Sequence, residues 1–166
     1  MTLQFPEGFL VRHTTLALRQ ATEADYAFLF HLHQASMKDY VTQTWGWDEV
    51  VQQALFRERF APACCQIVVV EGREVGVLAV QYQSDALFLA NLQLLPDNQK
   101  QGLGTAIIQM LLRQASQQGI PVTLQVLKVN PARHLYERLG FRIIGETATH
   151  YLMSTAAEAT GNLREC

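Results

Sequence analysis

The amino-acid sequence predicts a mixed α/β fold with seven strands and four helices in the order βααβββαβαββ. Two observations support this prediction: apolar runs of strand length alternate with segments of helical periodicity, and turn residues separate them. The chain has 166 residues, without a repeat or a low-complexity linker. This length suits one domain with a substantial core. We therefore expect a single domain over 1–166, with its core at about 15–154 and a short C-terminal tail at 155–166.

The first two predicted elements are a strand and a long helix. Residues 15–19 have the composition of a strand. Thr22 follows as a helix N-cap, because Asp25 stands three residues later in the capping-box position. We expect this helix to end near Lys38 or Tyr40.

A loop at residues 41–47 is predicted to lead into the second helix. Trp47, Val51 and Leu55 recur at helical spacing and give this helix an apolar face. Pro62 ends it, because proline has no N–H to continue the hydrogen-bond ladder.

Three strands come next. Residues 66–70 and 75–80 flank a turn at 71–74 and form a predicted hairpin. Residues 86–95 form the third of these strands, and a glycine-containing segment follows it directly. The prediction therefore places that segment at the junction of a strand and a helix.

The third helix covers residues 102–118 and ends at Gly119. A buried strand at 123–127 follows it, and a strand pair at 141–146 and 149–153 completes the fold. The apolar stripe of the third helix consists of Leu103, Ile107 and Leu111.

The fourth helix is short. Asn130 is a suitable N-cap for it, Pro131 is suited to its first position, and Gly140 is a suitable terminator. This helix contains a tyrosine, Tyr136.

The strand-to-helix junction has the sequence Gln-Lys-Gln-Gly-Leu-Gly-Thr at residues 99–105. Gly102 and Gly104 let backbone N–H groups approach an anion, and the helix N-terminus adds partial positive charge there. A P-loop is excluded because the sequence has no Gly-Lys pair. A dinucleotide fingerprint is excluded because Ile107 stands where its third glycine would be. The junction therefore predicts a phosphate-binding loop of another class.

The pattern Gln-x-x-Gly-x-Gly at this junction matches motif A of the GNAT superfamily of acyl-CoA-dependent N-acetyltransferases. The residues that resemble motif B of the same superfamily are Asn130, the Leu135-Tyr136 pair and the Gly140-Phe141 pair. The resemblance covers about residues 16–153 and is most specific over 89–141. It implies the GNAT fold, a central, mixed, mostly antiparallel twisted sheet of about seven strands with four helices. In that fold one parallel strand pair is splayed apart and the cofactor lies in the opening.

The resemblance also implies acetyl-CoA as the cosubstrate. Leu92 and Leu94 would pair through their backbone with its pantetheine arm, and the Leu94 N–H would polarise the thioester carbonyl. Asn130, besides capping a helix, would bond the same arm, and Arg133 would reach the nucleotide end. Lys100 fits a solvated surface position equally well. The residues implied for the pyrophosphate are Gln99, Lys100, Gln101, Gly102, Leu103, Gly104 and, through its hydroxyl, Thr105.

Tyr136 is the predicted catalytic residue and also a cofactor contact, with a packed core tyrosine as the structural alternative. When an amine attacks a thioester the leaving group is a thiolate, which an aimed O–H donor stabilises. An alkyl thiol has a pKa near ~8.5 and tyrosine near ~10, so full proton transfer is uphill by roughly 2 kcal/mol. The hydroxyl is therefore expected to act mainly as a hydrogen-bond donor.

The general base is the open point of the prediction. Many GNAT enzymes place a glutamate five residues before the proline that ends this strand, and here that position is Asn91, which cannot take a proton. Ordered water or a carboxylate would replace it, with Glu49 slightly favoured over Asp48. Both acids also fit a helix first turn, where they complement the dipole. Neutralising an amine at pH 7 costs about 4.6 kcal/mol for a pKa of ~10.4 and about 1 kcal/mol for ~7.7.

The segment at 45–49 gives the main indication of the acceptor. Trp45 and Trp47 with Asp48 and Glu49 would hold a cationic amine by cation–π and Coulombic contact. Alternatively, the indoles anchor the loop to the core. Asn91 completes the predicted substrate-binding set.

Composition limits the classes of partner and compartment. The formal net charge of −2 and 17% charged residues give no signature for nucleic acid or an anionic membrane. No window approaches a membrane span, and residues 1–12 lack a signal-peptide core. His31 and His33 lie on different helix faces and form no metal pair. Cys64, Cys65 and Cys166 match neither a disulfide framework nor a zinc site, which favours the cytoplasm.

The sequence thus predicts an N-acetyltransferase in which a small-molecule primary amine attacks acetyl-CoA directly in a ternary complex. Neither motif contains a cysteine, so no covalent acetyl-enzyme is expected. One alternative is a non-catalytic acyl-CoA-binding or regulatory module. The presence of Tyr136 argues against this alternative, whereas the lack of an acid at Asn91 argues for it. Another is acetylation of a protein N-terminus or lysine side chain. The acceptor, the acyl length and the choice between monomer and homodimer stay open.

Overall fold

A computed structural model describes residues 3–156 of the chain. Cys166 and the predicted tail from residue 157 onward lie outside this range. The helices of the described part are α1 (Tyr26–Trp45), α2 (Glu49–Arg59), α3 (Leu103–Gln118) and α4 (Ala132–Arg138). Its strands are β1 (Leu10–Val11), β2 (Thr14–Gln20), β3 (Gln66–Val70), β4 (Arg73–Tyr82), β5 (Leu87–Leu94), β6 (Val122–Leu127), β7 (Arg142–Glu146) and β8 (His150–Ser154).

All eight strands of the described part belong to one sheet, in the order β1-β2-β3-β4-β5-β6-β8-β7. Every neighbouring pair is antiparallel except β5 and β6, which run parallel. The predicted mixed, mostly antiparallel sheet with one parallel pair is therefore confirmed. Among residues 3–156, no helix is long and apolar enough to cross a membrane.

Two hydrophobic clusters cover the two faces of the sheet. The larger contains Val68 of β3 with buried residues of α3 and α4, and the smaller contains the preceding residue, Ile67, with Leu29 and Leu32 of α1. Successive strand residues point to opposite faces. Hence α3 and α4 pack on one face, whereas α1 and α2 pack on the other.

The strand β1 was not predicted. It pairs with β2 through a hairpin whose two turn residues, Arg12 and His13, have φ of 48° and 71°. Tight hairpin turns of this kind usually contain glycine, asparagine or aspartate at such positions. The sequence signal for a turn is therefore missing here, although the turn forms.

The predicted end of α1 was wrong, and so was the predicted loop at 41–47. The helix continues to Trp45 and stops at Gly46, whose φ is 82°. In its last turn the hydroxyls of Thr42 and Thr44 donate to the carbonyls one turn earlier, at Lys38 and Tyr40, which satisfies them within the helix. The capping box at the start of this segment is confirmed.

Candidate active site

A cavity of about 840 Å³ opens where β5 and β6 separate. The two strands pair only from Leu87↔Val122 to Leu89↔Leu124, and beyond these pairs both line the cavity. The opposite wall consists of α1, α2 and the turn between them. Tyr136 of α4 and His150 of β8 complete the lining.

A β-bulge lies at the point where the strands separate. The pairing of β4 with β5 shifts register between Ala79↔Asn91 and Val80↔Leu89, which leaves Ala90 as the extra residue. Leucines 87, 89, 92 and 94 therefore face or pack against the same core cluster, although simple alternation would reverse the last two. As a consequence, Asn91 and Gln93 face α1 and the cavity. The skipped step in the leucine pattern is the sequence signal that could have revealed the bulge.

Beyond the bulge, the edge of β5 that faces β6 has no strand partner among residues 3–156. This edge contains Leu92, which lines the cavity, and the buried Leu94. The Leu94 carbonyl accepts a hydrogen bond from Gln99 Nε2 at 2.9 Å. The side chain of Gln99 thus attaches the glycine loop to the end of the strand.

The glycine loop presents unused backbone donors. Lys100 and Gly102 have φ of 59° and 86°, and Gly102 is an N-cap without a side chain. In the described part of the chain, no acceptor bonds the N–H groups of Leu103, Gly104 and Thr105. Donors of this kind at a helix N-terminus form an anion-binding site.

Arg12 lies against this loop, which sequence reasoning missed. A Cβ atom built on Gly102 would be 3.4 Å from Arg12 Nε, so the guanidinium lies directly beside the N-terminus of α3. Within residues 3–156 Arg12 forms no ion pair. The β1–β2 hairpin therefore places a positive charge beside the glycine loop.

Gly104 has a different environment from Gly102. A Cβ on Gly104 would meet Leu135 at 3.6 Å and Leu94 at 3.9 Å, which are ordinary packing distances. Only Gly102, of these two glycines, needs a left-handed backbone.

Tyr136 lines the cavity from α4 and is 9% exposed. Its ring packs edge to face against Phe141 at 5.6 Å. Burial raises the pKa of the phenol to about 12. No described hydrogen bond within residues 3–156 uses its hydroxyl. The residue is therefore both a core tyrosine and a neutral O–H donor at the cavity wall.

The neighbouring residues of α4 differ in their contacts. Asn130 lines the cavity, and its Oδ1 accepts the Ala132 N–H at 2.9 Å. The helix begins at Ala132 with Pro131 as its N-cap, so the prediction that Asn130 is the N-cap and Pro131 the first helical residue was wrong by one position. Arg133 does not line the cavity; it forms an ion pair with Glu137 at 3.4 Å and lies 5.2 Å from the Tyr151 ring centre.

The indole of Trp47 already has a cationic partner. Lys38 Nζ lies 5.3 Å from its ring centre, and Trp47 Nε1 donates to Glu49 Oε2 at 2.8 Å. The other Glu49 oxygen accepts from Gln34 at 2.6 Å, and Glu49 is not part of the cavity lining. Of the two predicted acids, Asp48 alone lines the cavity, and its Oδ1 caps α2 by accepting from Val51 N at 2.9 Å.

Two histidines also line the cavity. His33 of α1 packs against the rings of Trp47 and Phe56, and burial lowers the pKa of its imidazole. The ring centres of His150 and Trp45 are 6.0 Å apart, and Trp45, at the end of α1, is 60% exposed. The sequence marked His33 only as unsuited to a metal pair. Its place in the cavity depends on how α1 packs, which the sequence pattern does not contain.

Residues 62–143 match the family model described as an acetyltransferase (GNAT) domain. The PaiA N-acetyltransferase of Thermoplasma acidophilum, solved with coenzyme A, superposes with a TM-score of 0.71 at 14% identity, over 86% of this chain and 99% of that one. The ribosomal-protein-S18-alanine N-acetyltransferase of Escherichia coli superposes with a TM-score of 0.63 at 20% identity, over 92% of this chain and 100% of that one. An acetyltransferase of Thermus thermophilus superposes with a TM-score of 0.64 at 20% identity, over 84% of this chain and 96% of that one. No curated protein matches the chain.

Proposed function

Because the chain carries a GNAT acetyltransferase domain, we propose that it transfers an acetyl group from acetyl-CoA to a primary amine, which attacks directly in a ternary complex. One observation supports this more than any other. A cavity lined by Tyr136 lies between the separating strands β5 and β6, and the strand β5 leads into a loop with free N–H donors. The similar enzyme from Thermoplasma acidophilum was solved with coenzyme A.

The residues of the glycine loop fit the diphosphate of this cosubstrate. The N–H groups of Leu103, Gly104 and Thr105 would donate to it, and Arg12 would add a charge-assisted contact. Leu92 and Leu94 would present backbone groups along the unpaired edge of β5, and Asn130 would use its free side-chain nitrogen. Acetyl-CoA supplies the activated acetyl group.

Tyr136 would act on the leaving sulfur as a donor that stays protonated. With a phenol pKa of about 12 and a thiol near ~8.5, complete transfer of its proton would be uphill by roughly 5 kcal/mol. A hydrogen bond from the intact O–H stabilises the developing thiolate without that cost.

For the acids of the 45–49 segment we propose separate roles. Glu49, the base favoured by the sequence, has both carboxylate oxygens occupied by Gln34 and Trp47, so we assign it the positioning of Trp47. Asp48 would face the bound amine. Because Lys38 covers Trp47, cation–π binding of the acceptor would fall to Trp45.

Release of free thiol from acetyl-CoA, measured with panels of amino acids, polyamines, aminoglycosides and peptides, tests this proposal. We expect thiol release with at least one panel and an acetylated amine in the mass spectrum. Binding of acetyl-CoA without thiol release across all panels would instead support a non-catalytic binding module, which the amide at Asn91 favours.

A further inference from the structure

Three polar side chains connect α1 to the bulged part of β5. Ser36 Oγ lies 2.7 Å from the Leu32 carbonyl oxygen and 2.9 Å from Gln93 Oε1. Gln93 Nε2 lies 3.0 Å from Asn91 Oδ1. Gln93 and Asn91 line the cavity, whereas Ser36 lies behind them on the helix. The chain of contacts therefore runs from a helix carbonyl to the cavity wall.

The number of protons decides which way the two amides face. A serine hydroxyl has one proton and cannot serve two oxygens fully. The oxygen and nitrogen of an amide side chain exchange places by rotation, and the hydrogen-bond network selects the orientation. Suppose that the side-chain amides of Gln93 and Asn91 are both rotated by 180°. The Ser36 hydroxyl then donates to the Leu32 carbonyl, Gln93 Nε2 donates to Ser36 Oγ, and Asn91 Nδ2 donates to Gln93 Oε1. Every contact then has one donor and one acceptor, and Asn91 Oδ1 faces the cavity.

We propose that Ser36 and Gln93 orient Asn91 so that its carbonyl oxygen accepts a hydrogen bond from the acceptor amine, and that this arrangement selects weakly basic amines. The inference rests on the proposed acetyl transfer. An acceptor oxygen binds an N–H of the neutral amine and leaves the lone pair free to attack. A donor at the same place would bind the lone pair instead. Asn91 cannot take a proton and so cannot neutralise an ammonium ion, which favours an amine that is already partly neutral at pH 7.

Other titratable groups also line the cavity. Among residues 3–156, Asp48 is the one carboxylate of the cavity lining, and its Oδ1 caps α2. At pH 7 about 1 in 6 molecules is neutral for an amine of pKa ~7.7, against about 1 in 2,500 for ~10.4. The favoured class is therefore the α-amine of an amino acid or peptide. The titratable residues of the lining are His33 on α1, Asp48 before α2, Arg59 on α2, Tyr136 on α4 and His150 on β8.

Comparison of kcat/KM for α-amines and terminal alkylamines tests the selection. We expect α-amines to be favoured at least tenfold at pH 7, with free amino acids and short peptides as separate arms that identify the source. Asn91→Leu should lower kcat/KM for α-amines about tenfold or more with unchanged acetyl-CoA affinity. Asn91→Glu should shift the preference toward alkylamines and move the pH profile to lower pH. Ser84→Ala, in the turn at the other end of β5, is the control. Equal effects of Asn91→Leu on both amine classes would overturn the proposal.

Nuclear magnetic resonance decides the orientation independently of activity. Cross-peaks from the Gln93 side-chain NH₂ protons to the Ser36 Hβ protons support the proposal, and cross-peaks to the Asn91 Hβ protons overturn it. If acetyl-CoA binds but no amine is acetylated, the proposed function fails, and this measurement still decides whether the chain of contacts exists.

Discussion

At the scale of single residues, the site depends on a few side chains whose surroundings set their chemistry. Burial makes Tyr136 a more firmly protonated phenol, and two hydrogen bonds occupy both oxygens of Glu49. From residue type alone, Tyr136 was predicted to be a hydrogen-bond donor and Glu49 a general base. The contacts support the donor and give the acid another role, because Glu49 bonds Trp47 and Gln34 and does not line the cavity.

Replacement of Tyr136 by phenylalanine removes the hydroxyl and keeps the packing against Phe141. We expect kcat to fall about 10²–10³-fold, as when one aimed donor is lost, with little change in acetyl-CoA affinity. Steady-state kinetics and calorimetry measure the two quantities, with Tyr82→Phe as the control outside the cavity. Unchanged kcat would remove Tyr136 from the mechanism.

Glu49→Gln distinguishes the positioning role from the base role. Glutamine can still accept from the indole N–H of Trp47, so we expect kcat/KM to change less than about threefold. The pH profile of kcat/KM, compared with that of Asp48→Asn, provides the measurement. A loss of 10²-fold or more in Glu49→Gln would identify it as the base that the sequence suggested.

Arg12→Ala tests the hairpin as part of the cofactor site. Loss of one exposed charge near the diphosphate should raise the acetyl-CoA Kd about five- to tenfold at low salt, and less at high salt because ions screen the contact. Arg142→Ala, an exposed arginine on β7, is the matched control. A Kd that is the same in both variants would exclude Arg12 from the site.

At the scale of elements, the order of strands and helices followed from hydrophobic periodicity, whereas their irregularities did not. β1 was missed because Arg12 and His13 are unusual turn residues, and α1 was cut short because its last turn is rich in β-branched residues. The bulge at Ala90 leaves a readable trace, since the leucine spacing changes there. A bulge or a short edge strand depends on pairing between two strands, and the sequence of one strand does not show how its partner pairs with it.

The start of α1 gives a pH-dependent stability. Hydrogen bonds from Arg19 lower the pKa of Asp25 from 3.8 to about 2, and Asp25 also accepts the Thr22 N–H. Because the folded-state pKa is the lower one, the contribution is complete above about pH 4 and is lost as the pH falls toward 2. It amounts to about 1–2 kcal/mol.

Chemical denaturation between pH 2 and pH 7 measures this contribution. Asp25→Asn should be less stable than the parent at pH 7, and the difference should shrink as the pH falls. A difference that stays constant over this range would show that the ion pair with Arg19 does not stabilise the fold.

At the scale of the whole molecule, the proposed function depends on how the strands β5 and β6 separate. The glycine loop, Tyr136 and Asn130 could be predicted from the sequence because each belongs to a local motif. Gln93, Ser36 and His33 were not, because their place in the cavity follows from packing α1 against β5 across the chain. Local motifs therefore predict most of the proposed cofactor side, and the acceptor side needs the tertiary structure as well, although Trp45, Trp47, Asp48 and Asn91 were predicted and line the cavity.

The central claim is that the loop before α3 binds acetyl-CoA, and a calorimetric titration of the protein with acetyl-CoA tests it most directly. We predict binding at one site. Gly102→Ala should weaken it about tenfold, because alanine is strained by about 1–2 kcal/mol at a φ of 86°. Gly104→Ala, which has room for a Cβ, serves as the comparison for packing. Absence of binding to the parent protein, or equal affinity in parent and Gly102→Ala, would contradict the account.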